Sequence, residues 1–355
     1  MVQAFSSTIR RKEMDAVLTC MVDEKIGPGE LNQKLVQTVK DVVGCDGAAA
    51  FRNAGIALSY ALRALNLEKG SSVMISALAD GWQYAAVESC GYKPLVLDVD
   101  ENSSLVTSEI VEDGIKNGGK LLILSENFGI MPDADELKKI ISLGIPIIED
   151  ISKSFGSLVR LPPSEGSSEE TVLKAGSIGV FSVLGLEEFD TITGGGGAVL
   201  IAQKKHDWTV LKSFVDNALY TEILPDINSS LAWVQIKEFA RNEQLRKTIF
   251  DIYAHALRSG KNTTFVRSNP DDLTVWSFPV VLSGSVKDVR QYALKKDIEI
   301  ISAFEKSVIA LHEEELSPSC IKARSLYLRC VLFPLYPRLG SESVSKIAKV
   351  LGTLP

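Results

Sequence analysis

From residue 73 to residue 148 the chain alternates short apolar runs with amphipathic stretches, and this alternation restricts the fold more than any other feature. Val73–Ile75, Pro94–Val99, Leu121–Leu124 and Ile145–Ile148 read as strands that are apolar on both sides. Such strands belong to a sheet covered by helices on both faces. The stretches between them, through Trp82 to Glu88, Ser108–Asn117 and Asp133–Ile141, carry helical spacing. Strands separated by helical segments of roughly 10–15 residues mark a parallel sheet.

The last of these strands runs out into Glu149, Asp150, Ser152, Lys153 and Ser154. Polar residues at the carboxyl end of a parallel strand lie where α/β folds bind ligands. Adjacent strand residues point to opposite faces, so only one of Glu149 and Asp150 faces such a site. A second stretch, Gly176 to Leu200, holds a strand (Val180–Val183), a polar interruption, the glycines 194–197 and another strand (Ala198–Ile201). Four successive glycines lose much backbone freedom on folding, which calls for a tight turn, a close neighbour or mobility. They lack the lysine and spacing of a Walker loop and the strand–helix context of a dinucleotide fingerprint.

Upstream, residues 13–24 and Glu30–Val43 read as helices, and Ala48–Phe51 as a short buried piece. Asn53 is placed to cap a helix through Leu65, and Gly55 beside its start lets a ligand approach the backbone. The free N–H groups of such a start suit a phosphate, although a small-residue helix packed under a sheet reads the same way. Residues 157–172, rich in Pro, Gly, Ser and Glu, read as a surface loop or flap. Lys204–Leu224 reads as a helix and a loop, and Ile227–Leu257 as one long helix. Beyond it, Leu273–Val281, Ile298–Ile301 and Leu326–Phe333 read as strands, with helices at Ser283–Lys296 and Glu342–Leu351. The expected division is a large α/β domain over 1–250 and a small α+β domain over 251–355.

A net charge of −7 disfavours a nucleic-acid groove, which needs clustered Lys and Arg. No run reaches the roughly 18–20 apolar residues that span a bilayer, and the N-terminus shows no signal-peptide core. Cys20, Cys45, Cys90, Cys320 and Cys330 are odd in number and widely spaced, which suits neither a disulfide framework nor a metal knuckle. A reducing, cytoplasmic setting is expected. His206, His255 and His312 are isolated, so no metal site is expected.

The order of these segments resembles the DegT/DnrJ/EryC1/StrS sugar-aminotransferase-like family of pyridoxal-phosphate (PLP) enzymes. The residues that carry it are the GPG turn at 27–29 before a helix, the Asn53 helix start, the strand ending in Glu149–Asp150, the Phe181–Ser182 strand, the glycine hairpin and the closing FPLYPRL at 333–339. The resemblance implies PLP-dependent transferase fold type I: a large domain with a mostly parallel seven-stranded sheet, a small C-terminal α+β domain and a homodimer. It implies that Asp150 pairs with the pyridine nitrogen, which would keep the ring protonated and electron-withdrawing. It places Ser182 on the cofactor phosphate and Asn53, Ala54 and Gly55 on the phosphate cup. Asp80 falls where the family stacks an aromatic on the ring, and Trp82 takes that place if the loop register shifts. Glu126 falls where a histidine is usual and Gly195 where a glutamate is usual, while Glu187 and Glu188 fall near the substrate.

The Schiff-base lysine of the family follows its phosphate serine by a few residues, yet no lysine or histidine lies between Ser182 and Gly194. Transamination needs an amine to hold the cofactor and shuttle the proton. Lys153, three residues past Asp150, is the candidate replacement, either as an imine former or as a charge partner of Glu187 or Glu188. Three readings follow. The first is a homologue without ordinary transaminase activity that binds a nucleotide-sugar-like ligand, with PLP weak or lost. The second is an active PLP or PMP enzyme using Lys153. The third is a non-catalytic structural or interaction protein.

Overall fold

Seven strands form one sheet in the computed structural model, which describes residues 1–163 and 170–355. In chain order its strands are β1 (Gly47–Phe51), β2 (Ser72–Ser76), β3 (Lys93–Leu97), β4 (Gly119–Ser125) and β5 (Ile147–Asp150). A hairpin of β6 (Leu158–Leu161) and β7 (Thr171–Lys174) follows, then β8 (Phe181–Gly185) and β9 (Ala198–Ala202) return to the sheet. The order across the sheet is β1-β9-β8-β5-β4-β2-β3. The steps from β8 through β5, β4 and β2 to β3 are parallel, and β9 runs antiparallel to both β8 and β1.

Both faces are covered, as the two-sided apolar strands require. One face carries α3 (Ala54–Leu65) and α4 (Trp82–Ser89) over Val73, Ile75, Ile123, Ile148 and Val183; α1 (Arg11–Val22) and α2 (Glu30–Val43) precede them in the chain. Under α2, on the opposite face, lie Ala48, Leu184 and Val199, and under α5 (Ser108–Lys116) and α6 (Ala134–Ser142) lie Met74, Leu122 and Ile147.

The sheet ends where its caps say it should. Asn53 has extended backbone and accepts the Ile56 N–H at 2.8 Å, so α3 starts as a capped helix. Gly195, Gly196 and Gly197 have φ of 68°, 122° and 122°, which explains three of the four glycines: they turn the chain from the β8 side back into β9.

Several sequence expectations change. The strand expected at Ile145–Ile148 is Ile147–Asp150, so both carboxylates sit inside it. The expected 157–172 loop is flanked by the β6–β7 hairpin, and residues 164–169 of it lie outside the described residues. The single helix expected at 227–257 is two, α8 (Asp226–Lys237) and α9 (Phe239–Leu257), after α7 (Lys205–Val215). Glu238 between them has φ −90° and ψ 0°, which breaks the turn although the apolar period continues. Of the run expected as the strand Leu326–Phe333, only Cys330–Phe333 is strand, because residues Ile321–Arg329 are helical.

A second sheet closes the chain: β10 (Phe278–Val281), β11 (Ile301–Ser302) and β12 (Cys330–Phe333), with β12 central and antiparallel to both. Its core joins Phe278, Val280, Val331 and Phe333 to Ile249, Tyr253 and Leu257 of α9 and to Ile347 and Leu351 of the last helix. Val2 bridges Ile298, so the first residues of the chain pack on this C-terminal sheet.

Candidate functional site

The pleat sends Glu149 and Asp150 to opposite faces of β5, as expected of strand neighbours. Glu149 lies opposite Ser182 in the parallel register, and Asp150 opposite Val183. Glu149 accepts three backbone N–H groups, from Gly176 at 2.9 Å and from Ile178 and Gly179 at 2.7 Å. It therefore holds the turn that leads into β8. Burial raises its carboxyl to about 7, against the lowering pull of those N–H groups.

Asp150 faces the α3–α4 layer. Its Oδ2 accepts from Gln83 Nε2 at 2.7 Å, and its Oδ1 from Ser152 N at 3.1 Å and Ser152 Oγ at 2.5 Å. Gln83 also donates to Ser125 Oγ at 2.9 Å, and Ser152 Oγ accepts Gly185 N at 2.9 Å. Burial raises the Asp150 pKa, with Ser152 and Lys153 pulling it back.

Lys153 donates to Asp80 Oδ2 at 2.6 Å, and its ammonium lies 5.2 Å from the Trp276 ring centroid. Burial opposes its charge, but Asp80, Asp190 and Asp150 outweigh burial and hold Lys153 above the ordinary lysine range. Asp190, on the loop after β8, accepts Glu187 N at 2.8 Å. Its carboxylate lies so close to Gly185 that a Cβ there would stand 2.4 Å from Oδ2. This close approach needs the glycine. Burial raises the Asp190 pKa to about 7, with Lys153 the main opposing influence. Trp276 Nε1 donates to Phe189 O at 2.5 Å and ties the same loop to the strand region of the second sheet.

Glu126 is 2 % exposed. One of its oxygens takes the Ser154 hydroxyl, and the other, Oε1, has no partner among the described residues. Burial, then the charge of Glu149, pushes its pKa well up. The gap bounded by Asp80, Ser125, Glu126, Asn127, Asp150 and Lys153 has room for about one water molecule.

The residues singled out in the sequence are only partly brought together. Asp150, Lys153 and Glu126 meet around this gap. Ser182 does not: its hydroxyl donates to Gly176 O at 3.2 Å, on the Glu149 side of the sheet. The strand register thus puts Val183 on the face of Asp150 and α3. Trp82 packs against the core under α4, and the next residue, Gln83, is the one that reaches Asp150. Asp80 takes the position next to Lys153 that an aromatic was expected to fill. Glu187, Glu188 and Gly195 are exposed, so Asp80 rather than either glutamate is the partner of Lys153. Asn53, Ala54 and Gly55 stand at the N-terminus of α3, where Asn53 caps its own helix. Gln83 and Trp276 were missed, because nothing in local spacing marks a glutamine or tryptophan that acts across the fold. Among the described residues no group of three or more His, Cys, Asp or Glu is placed to hold a metal.

Beside Asp190 lies a shallow recess, open to solvent, with room for about one or two water molecules and lined among others by Thr8, Thr191, Gln235, Arg246, Trp276 and Tyr336. Thr191 Oγ1 is buried without a partner among the described residues. Arg246 is held at 3.0 Å by Glu243, whose other oxygen takes Val275 N at 2.7 Å.

The model of the DegT/DnrJ/EryC1/StrS aminotransferase family matches residues 7–352. The chain belongs to this family. Among solved structures, it resembles the aminotransferase TlmJ from Streptoalloteichus hindustanus, with a TM-score of 0.84 at 16% identity over 99% of this chain and 98% of that one. It also resembles the E. coli GDP-4-keto-6-deoxy-D-mannose-3-dehydratase with bound hydrated PLP, with a TM-score of 0.83 at 14% identity over 99% of each chain. A variant of GDP-4-keto-6-deoxymannose-3-dehydratase with bound GDP-perosamine gives 0.84 at 14% identity, over 99% of this chain and 100% of that one. At these identities the likeness is one of fold: PLP-dependent transferase fold type I, with its seven-stranded sheet.

Family membership implies PLP, and the residues around Asp150 do not fit that group. Asp150 Oδ1 accepts two protein donors, whereas Oδ2 accepts one and keeps a lone pair, so the misfit is one of space and of the missing amine. A cavity of about 150 Å³ is needed for a benzene ring, whereas the gap next to Asp150 holds about one water. The loop after β8 turns Asp190, not an amine, toward Gly185 and Ser152.

Proposed function

We propose that this protein is a member of the sugar-aminotransferase family that does not carry out transamination and instead binds a nucleotide-sugar-like ligand. One observation carries the first half. On the loop between β8 and β9 the carboxyl of Asp190 lies against Gly185, and the nearby lysine, Lys153, is committed to Asp80. A carboxyl forms no imine with an aldehyde. An imine-forming amine must first lose its proton, and the aspartates around Lys153 hold that proton on.

The ligand half rests on the recess beside Asp190. Hydroxyls, an amide, a guanidinium and aromatic faces line it, a mixture that suits a sugar or a nucleotide better than an apolar molecule. The unpartnered Thr191 hydroxyl is an anchor for such a ligand. One solved relative holds GDP-perosamine, which supports a nucleotide-sugar as the class to try first.

A homodimer is part of the same reading. Met14, Leu18 and Met21 of α1 are about half exposed and lie at helical spacing on one face, which supports a subunit contact. Five free cysteines support a reducing, cytoplasmic setting. Calorimetry with GDP-, UDP- and dTDP-sugars, beside an amine-donor turnover assay, tests the proposal. Saturable binding without turnover supports it. Turnover that depends on an amine donor overturns it in favour of an active enzyme, and absence of binding favours an interaction protein.

A further inference from the structure

The Asp80–Lys153 pair occupies the region next to Asp150 in which the family's cofactor ring is expected. We propose that this pair is a permanent, built-in plug of the cofactor site. The ammonium of Lys153 supplies from within the chain the positive charge that the surrounding aspartates require. The protein then folds and persists without any pyridoxal or pyridoxamine phosphate. The inference rests on the reading that transamination is absent, and goes beyond it: a protein can lose its lysine and still bind the cofactor, whereas a plugged one cannot.

Charge and volume both support the plug. Asp80, Asp150 and Asp190 surround one ammonium. Asp80 bonds it at 2.6 Å. Asp150 is satisfied by Gln83 and Ser152, and Asp190 by the Glu187 N–H. The Trp276 ring closes over the ammonium at 5.2 Å, a cation–π contact. Side-chain exposure is 18% for Lys153 and 30% for Asp80, so the pair is mostly withdrawn from water. Removing one partner of such a pair leaves an uncompensated charge, while removing both leaves neutral groups of similar size. Asp80 and Lys153 are therefore coupled.

The test compares wild type, Lys153→Met, Asp80→Asn and the double variant by thermal melting of the full chain. Each is melted with and without millimolar pyridoxine 5′-phosphate, a probe that has no aldehyde to react with surface lysines. The wild type should show no shift with the probe beyond about a degree, because nothing binds. Lys153→Met should lower the midpoint by roughly 5–10 °C, and the double variant should regain part of that loss, since Asp150 and Asp190 still lack the ammonium. Should Lys153→Met fail to fold while the double variant folds, the coupling is shown all the same. A clear probe-dependent rise in the wild type overturns the plug. So does a double variant whose loss is the sum of the two singles. Neither result bears on amine-donor turnover, so the plug can fail while the reading of a non-transaminase stands.

Discussion

Glu149 and Asp150 are neighbours on one strand, both buried, and both carboxylates, yet they do different work. On one face Glu149 is held by three backbone N–H groups and fixes the turn before β8. On the other, Asp150 is held mostly by side chains, Gln83 of α4 and the Ser152 hydroxyl, with one backbone N–H from Ser152 in its own following turn, next to an ammonium. Backbone donors are fixed by the fold, so the Glu149 side is architecture. Side-chain donors are replaceable, so the Asp150 side is where the chemistry of this scaffold can change while the sheet stays the same. In this chain that side holds a cluster of aspartates around one lysine.

The sharpest break between the two faces is Glu149→Ala. It strands two buried N–H groups and one part-buried, each worth about 1–3 kcal/mol, and we expect a loss on the order of 3–5 kcal/mol by urea denaturation. A loss below about 1 kcal/mol would mean that the turn before β8 does not depend on Glu149.

The next effect is a pH dependence from the Asp150 face. Asp190 is raised from 3.8 to about 7 in the fold. Between those values the folded state holds a proton that the unfolded state has lost, so stability falls as pH rises. The urea midpoint should drop from about pH 5 to about pH 8, and Asp190→Asn should flatten that part of the profile. Glu149 contributes with the same sign, so a residual slope in the variant is expected from the other face.

Smaller again is Asn53→Ala, which removes the cap of α3 and should cost about 1 kcal/mol. Glu187→Gln with Glu188→Gln should change stability by less than about 0.5 kcal/mol, since both are exposed. A larger change would bring these glutamates back as partners of Lys153.

The sheet was legible because buried parallel strands announce themselves as continuous apolar runs, and a capped helix as Asn53 before an apolar period. The family was legible from the order of its segments. The site was legible only in part. Asp150 and Lys153 stood out as charges at a strand end. Their partners did not, because Asp80 lies 73 residues from Lys153 and Gln83 lies 67 from Asp150. Ser182 was misplaced because motif matching carries no register: the pairing with Glu149 turns it away from α3. The break at Glu238 escaped because hydrophobic periodicity continues across a kink. Trp276 is a core residue that also closes over Lys153.

The most direct measurement is a titration of the purified protein with PLP and separately with PMP, followed by absorbance, borohydride reduction and mass mapping of any adduct. The account predicts no saturable chromophore and no reduced adduct on Lys153. An adduct on Lys153, with a bound absorbance band that Lys153→Ala abolishes, would contradict it and establish an enzyme with a relocated lysine.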